Sequence, residues 1–202
     1  MSITYMLDSS VLSEVTKPRP NPLVIKFLEN ERYIIPAGTL MEIAFGISRV
    51  GETDPAKAAR LGDWYDEIVS SAVPLAETNA RTARVWGQLA SDSRLKNLRV
   101  QGANDRKERG LQDLHIAAAA IARNAVVATM DVNDFMQIHR LYPLPGIYDP
   151  GAARWHAGDP VRAYLKASME ENSKVKRPMA EFLREDMAND DVEVPEKVTS
   201  KW

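Results

Sequence analysis

The chain has 202 residues, 45% of them hydrophobic and 27% charged, with a formal net charge of −2. That length suits one domain with a sizeable core and is too short for two full ones. The absence of cysteine excludes disulfides, thiolate metal sites and a cysteine nucleophile, and the near-neutral balance excludes nucleic-acid binding by bulk charge, so an anionic partner must be held by local basic residues or by metal ions.

Ile3, Thr4 and Tyr5 begin an apolar, partly β-branched run that Asp8, Ser9 and Ser10 close, which predicts a buried strand followed by a helix N-cap. Asp8 then stands at the strand's carboxyl end, where an open parallel sheet offers free backbone donors and an unroofed crevice. Two readings of Asp8 stand at this point: a cap for the next helix, or a carboxylate placed for chemistry. After Lys17, Pro18, Arg19 and Pro20 break regular structure, Asn21 caps and Pro22 opens a helix carrying Leu23, Ile25, Phe27 and Leu28. Tyr33 to Pro36 gives a second strand, and Gly38 and Thr39 open a helix with Leu40, Ile43, Ala44 and Ile47 on its apolar side. Glu42 falls three residues after Thr39, the spacing of a capping box; a first-turn acid also points toward the strand-end crevice.

Residues 54–71 predict an amphipathic helix with Ala58, Leu61, Trp64, Tyr65 and Ile68 at helical spacing. Val73 to Ala76 predicts a third strand, and Thr78 or Asn79 caps a helix through Val85, Trp86 and Leu89 to about Ser91. Residues 94–110 interleave six basic residues with Gly102, Asn104, Asp105 and Glu108 and show no apolar period, so they read as a mobile loop: either a solvated face or a basic arm for phosphates. Asp113 then opens an alanine-rich helix, small on every side and suited to close packing, and residues 126–129 form a strand with Asp131 just past its end. Asn133 or Asp134 caps a helix through Phe135, Ile138 and Leu141, while His115 and His139 read as packed or surface residues because neither has a partner at metal-binding spacing. Residues 145–150 hold a last, proline-bearing edge strand. Beyond them the chain turns polar and mixed in charge, with helices at 161–171 and 179–187 and a frayed acidic end. No window reaches the length of a membrane span and no basic leader with an apolar core opens the chain, so the expected location is the cytoplasm.

Four acids thus occupy repeating addresses: Asp8 and Asp131 after strands, Glu42 and Asp113 at helix starts. Together MLDSSVLSE, TLMEIAFGISR and QDLHIAAAAIARNAVVATMDVNDF, with the spacing between them, resemble the PIN-domain ribonucleases, especially the VapC-type toxins of bacterial toxin-antitoxin pairs, over about residues 1–150. The resemblance implies an α/β fold with a parallel sheet of four or five strands flanked by helices. It implies an acidic Mg²⁺ or Mn²⁺ pocket built from Asp8, Glu42, Asp113 and Asp131, endonucleolytic cutting of RNA, and a homodimer neutralised by a small antitoxin. Ser10 stands where that family commonly has asparagine, and Asp131 where many of its members do. Residues 151–202 form a charged C-terminal extension, helical or partly disordered, that inherits nothing from the resemblance; in toxin families an antitoxin often blocks the pocket with an inserted basic side chain, and the basic stretch at 174–177 is a candidate to do likewise in cis.

The chemistry is coherent on its own terms. Grouped carboxylates raise one another's pKa and resist ionisation, and hard divalent cations with a taste for oxygen relieve that repulsion. Such an ion acidifies water for attack and stabilises the leaving 3′ oxygen, which leaves a 5′ phosphate and needs no protein nucleophile. Two other classes share parts of this pattern. A phosphatase or phosphoacceptor domain also sets aspartates at strand ends, but no DxD motif or strand-end lysine follows the strands here. A catalytically silent PIN-like scaffold binding a protein or RNA partner is the remaining alternative.

Overall fold

The computed structural model describes residues 3–98 and 112–159. Its centre is a six-stranded sheet of β1 (Tyr5–Leu7), β2 (Tyr33–Pro36), β3 (Leu75–Ala76), β4 (Val126–Ala128), β5 (Ile147–Asp149) and β6 (Arg154–Ala157). The strands lie in the order β3-β2-β1-β4-β5-β6. The first five run parallel, and β6 returns antiparallel to β5. Helices α1 (Ser9–Leu12), α2 (Pro22–Asn30), α3 (Ala37–Gly51), α4 (Pro55–Ser70), α5 (Ala80–Ser91), α6 (Gln112–Arg123) and α7 (Val132–Leu141) connect them.

Successive strand residues point to opposite faces, and the core divides accordingly. Met6, Val127 and Ile147 face the cluster formed with Leu89, Leu114, Ile116, Phe135 and Ile138. Tyr5, Leu7, Ile35 and Ala128 face the other, with Val11, Val24, Phe27 and Ile43. A sheet covered on both sides explains why its strands read as short apolar runs rather than as alternating patterns. The alanine-rich α6 buries Leu114 to Ala120 and Ala122, as its small side chains allow.

β1 connects in sequence to β2 on one side, yet pairs on its other side with β4. The strand order therefore reverses between β1 and β4, and in an open α/β sheet the crevice at the carboxyl ends of such a pair is the ligand-binding position. Asp8 directly follows β1 there, and its backbone N–H donates to the Ala128 carbonyl at 3.0 Å.

The structure corrects several local expectations. α3 begins at Ala37 behind Pro36, with no side-chain cap, so Glu42 lies in the second turn and the capping box is not formed. The Thr39 hydroxyl instead donates to the Leu7 carbonyl at 2.6 Å. α7 starts behind Asp131 rather than Asn133 or Asp134. The first residues of the expected loop fold as a 3₁₀ turn, Ser93–Leu98, with Leu95 and Leu98 buried; that three-residue apolar spacing is the period of a 3₁₀ helix. Residues 99–110 and the helices expected at 161–171 and 179–187 lie outside the described residues.

β5 is not the sheet edge, because β6 covers it. The reversal is made by the Asp149 carboxylate, which accepts from the Gly151 and Ala152 amides at 2.8 and 3.2 Å. Gly158 then closes β6 onto the start of β5: it has φ +67°, and a Cβ there would meet the Pro145 carbonyl oxygen at 2.2 Å. Pro150 and Gly151 mark a turn inside the sheet rather than its end.

Candidate metal centre

Each acid reaches the crevice by a different structural route. Asp8 is presented by the β1–α1 turn, where it is the N-cap of α1 and is only 3% exposed. Its Oδ1 accepts from the Ser9 amide at 2.8 Å. Its Oδ2 accepts from the hydroxyls of Ser10 at 2.5 Å and Thr129 at 2.8 Å. Ser10 in turn accepts from the Met130 amide at 3.0 Å, and Thr129 from the Asp131 amide at 2.8 Å. Ser10 thus ties the β1 end to the β4 end.

Glu42 projects from the second turn of α3, whose start is fastened to β1 by the Thr39 hydroxyl. Asp113 lies in the first turn of α6, which runs back along the sheet toward β4, so its N-terminus opens at the strands' carboxyl ends. One carboxylate oxygen from each of Asp8, Glu42 and Asp113 lies within 4.8 Å of the other two. Residues 34 and 71 positions apart in the chain from Asp8 and Glu42 respectively therefore meet in one small space.

Asp131 is not part of that triad. As the N-cap residue of α7, with no side-chain cap bond, it stands at the rim, and its charge still acts on Asp113. Asp134 in the first turn of α7 acts on Asp113 as well, a contribution that the sequence reading assigned to capping alone. Its spacing of three residues from Asp131 was the available signal, because such residues share a helix face.

Electrostatics follow the geometry. Burial, then the charges of Asp8, Glu42, Asp134 and Asp131, push the Asp113 carboxyl up to about 8. Burial also raises Asp8, against the opposing hydrogen bonds from Ser10, Thr129 and the Ser9 amide. His115, two residues after Asp113, bonds Thr78 through Nε2 at 2.7 Å, and burial lowers its pKa. It packs as the sequence reading expected.

The residues present fit a hard divalent cation. The donor set is all carboxylate oxygen, its members are close enough to share an ion, and burial together with the neighbouring acids raises the Asp113 carboxyl, a penalty that a cation would relieve. Magnesium and manganese both suit such a set.

Known proteins share this fold. The model of the PIN domain family matches residues 5–140. Ribonuclease VapC14 of Mycobacterium tuberculosis (strain CDC 1551 / Oshkosh) is 32% identical over 71 residues, covering 33% of this chain and 68% of that protein. Among solved structures, FitAcB from Neisseria gonorrhoeae matches with a TM-score of 0.52 at 21% identity, covering 72% of this chain and 97% of that one. DNA-bound VapBC from Salmonella typhimurium matches with a TM-score of 0.51 at 22% identity, covering 73% and 98%. At such identities the structural matches speak to fold, whereas the family model spans well over half of the chain, residues 5–140: the chain belongs to the PIN domain family.

Proposed function

We propose that the protein is a Mg²⁺- or Mn²⁺-dependent endoribonuclease, the toxin of a toxin-antitoxin pair. The observation that carries this reading is the approach of Asp8, Glu42 and Asp113 to within 4.8 Å of one another at the sheet's switch point. The VapC14 ribonuclease, as a relative, and the fold shared with FitAcB and VapBC support the toxin assignment.

In this reading Asp8, Glu42 and Asp113 hold the cation, and Asp131 adds negative charge at the rim. A bound divalent ion supplies Lewis acidity toward water and toward the phosphodiester. The protein's own work is positional. The Ser9 amide and the Ser10 and Thr129 hydroxyls fix the Asp8 carboxylate, so its remaining lone pairs are already aimed before substrate arrives, as preorganised electrostatic catalysis requires. No side chain in the triad needs to act as a nucleophile, and the expected product carries a 5′ phosphate.

The same reading brings an RNA substrate, a cognate antitoxin protein, a homodimer and a cytoplasmic location. Among the described residues no helix is long and apolar enough to cross a membrane. It also takes residues 1–150 as the nuclease domain and 151–202 as a charged extension.

The test is to map cleavage ends on total RNA with purified protein, with and without Mn²⁺, beside Asp8→Asn and an Asp8→Asn, Asp113→Asn double variant. Mn²⁺-dependent cuts with 5′-phosphate ends, reduced at least about a hundredfold in the single variant and absent in the double, are expected. Undiminished cutting by the double variant, in preparations free of contaminating nuclease, would overturn the proposal.

A further inference from the structure

We infer that His115 is a positioning residue: its ring fills the space left by the missing side chain of Gly38, and this contact sets how closely Glu42 and Asp113 approach. The inference rests on the metal-site reading and goes beyond it, because it gives a role in the acid cleft to two residues that carry no ligand oxygen.

Gly38 and Glu42 are four residues apart on α3 and so lie on one helix face. Gly38 meets the first turn of α6. A Cβ built at Gly38 would stand 2.9 Å from His115 Nδ1, 3.2 Å from His115 Cβ and 3.2 Å from the Gln112 carbonyl oxygen. The first distance is shorter than side-chain carbons adopt, so any larger residue would force the two helices apart or displace the ring. Gly38 is the second residue of α3, and its missing side chain is what lets the start of that helix approach α6 so closely. One turn along α3 on the same side is Glu42, and within α6's first turn is Asp113.

His115 has little freedom to yield. It is 7% exposed. Its other ring nitrogen, Nε2, is bonded to the Thr78 hydroxyl at 2.7 Å. The ring is thereby braced between the segment after β3 and the start of α3. Its Nδ1 is buried without a hydrogen-bond partner, which is the atom that faces Gly38. A shift of α3 by a few tenths of an ångström is enough to matter, since three oxygens within 4.8 Å must match one cation's coordination distances of about 2.0–2.1 Å for Mg²⁺.

The experiment compares wild type, Gly38→Ala, His115→Ala and the Gly38→Ala, His115→Ala pair. Mn²⁺ affinity is read by electron paramagnetic resonance well below the metal-free melting temperature, and the Glu42–Asp113 Cα separation is read from metal-free crystals. Gly38→Ala should weaken Mn²⁺ binding about tenfold, the effect typical of residues that orient ligands, and widen the separation. Adding His115→Ala should recover most of both, a non-additivity that a general loss of stability would not produce. Wild-type affinity and spacing in Gly38→Ala would overturn the inference, as would a double variant no better folded and no tighter than the single. If all four proteins bind Mn²⁺ alike, the metal reading stands and the inference falls. If wild type binds none, the metal reading falls, and the crystal spacings still decide whether the ring controls the helix gap.

Discussion

At the scale of single residues, the two readings of Asp8 are not rivals. A carboxylate has about four lone-pair positions, and Asp8 uses one oxygen to cap α1 while the other takes the Ser10 and Thr129 hydroxyls. Capping fixes the group in place, and the remaining acceptor capacity is what a cation would take. Asp113 is held differently, by burial and by the surrounding acids, and its value of about 8 against an ordinary 3.8 makes stability depend on pH. Between those values the folded protein keeps a proton that the unfolded chain releases. The stabilising effect is complete below pH 3.8 and is lost as pH rises through about 8. In the presence of a chelator the melting temperature should therefore fall as pH is raised from about 5 to 9, by an amount corresponding to a few kcal/mol at about 1.4 kcal/mol per pKa unit. Asp113→Asn should flatten this slope, and so should millimolar Mn²⁺, because a cation favours the ionised acid. Calorimetric scans across that range check it; a melting temperature independent of pH in chelator would show that Asp113 is ionised throughout.

At the scale of elements, the site depends on how α3 and α6 are fastened to strand ends. The hydroxyl of Thr39, fully buried, holds α3 to the last carbonyl of β1 at 2.6 Å. Thr39→Val keeps the shape and removes the donor, leaving that carbonyl short of a partner. The expected cost is about 1–2 kcal/mol in urea denaturation, and Mn²⁺ affinity should drop because Glu42 loses its anchor. Unchanged stability in Thr39→Val would mean that packing alone seats α3. This bond also shows why part of the site was hidden in the sequence. The addresses of Asp8 and Asp131 were legible because short apolar strands ending in acid-rich turns follow from local chemistry alone. The long apolar period of α3 and the alanine content of α6 were equally plain. What Thr39 does was not, because its partner is 32 residues away and a local capping pattern offered a ready substitute. The same holds for Gly38, whose meaning depends on a helix more than 70 positions later, and for Asp134, whose charge counts only once α7 is laid beside α6.

At the scale of the whole molecule, five parallel strands match the expected sheet and the sixth does not come from any strand-like pattern. Arg154 to Ala157 lacks an alternating or β-branched signature, and it pairs because the Asp149 turn and Gly158 return the chain against β5. Once there, Trp155 joins Tyr148, Tyr5 and Phe27 in a chain of ring contacts, with centroids 5.1 Å apart for Trp155 and Tyr148 and 4.9 Å for Tyr5 and Phe27. Those contacts reach from the edge strand to β1, the strand that presents Asp8. The boundary proposed at residue 150 can therefore be tested by length. A chain ending at Pro150 loses β6 and leaves Tyr148 and Tyr5 without the indole, whereas one ending at Asp159 keeps every described strand. Losing a large, half-buried aromatic and its strand pairing costs about 3 kcal/mol or more. The shorter chain should therefore melt lower, by roughly 6 °C or more for a domain of this size. Differential scanning calorimetry of the two chains gives the answer directly. Equal melting would leave β6 outside the cooperative unit and keep the domain boundary at 150, while a lower transition for the shorter chain would carry the nuclease domain through the edge strand and require any study of the charged extension to begin its deletions after Asp159.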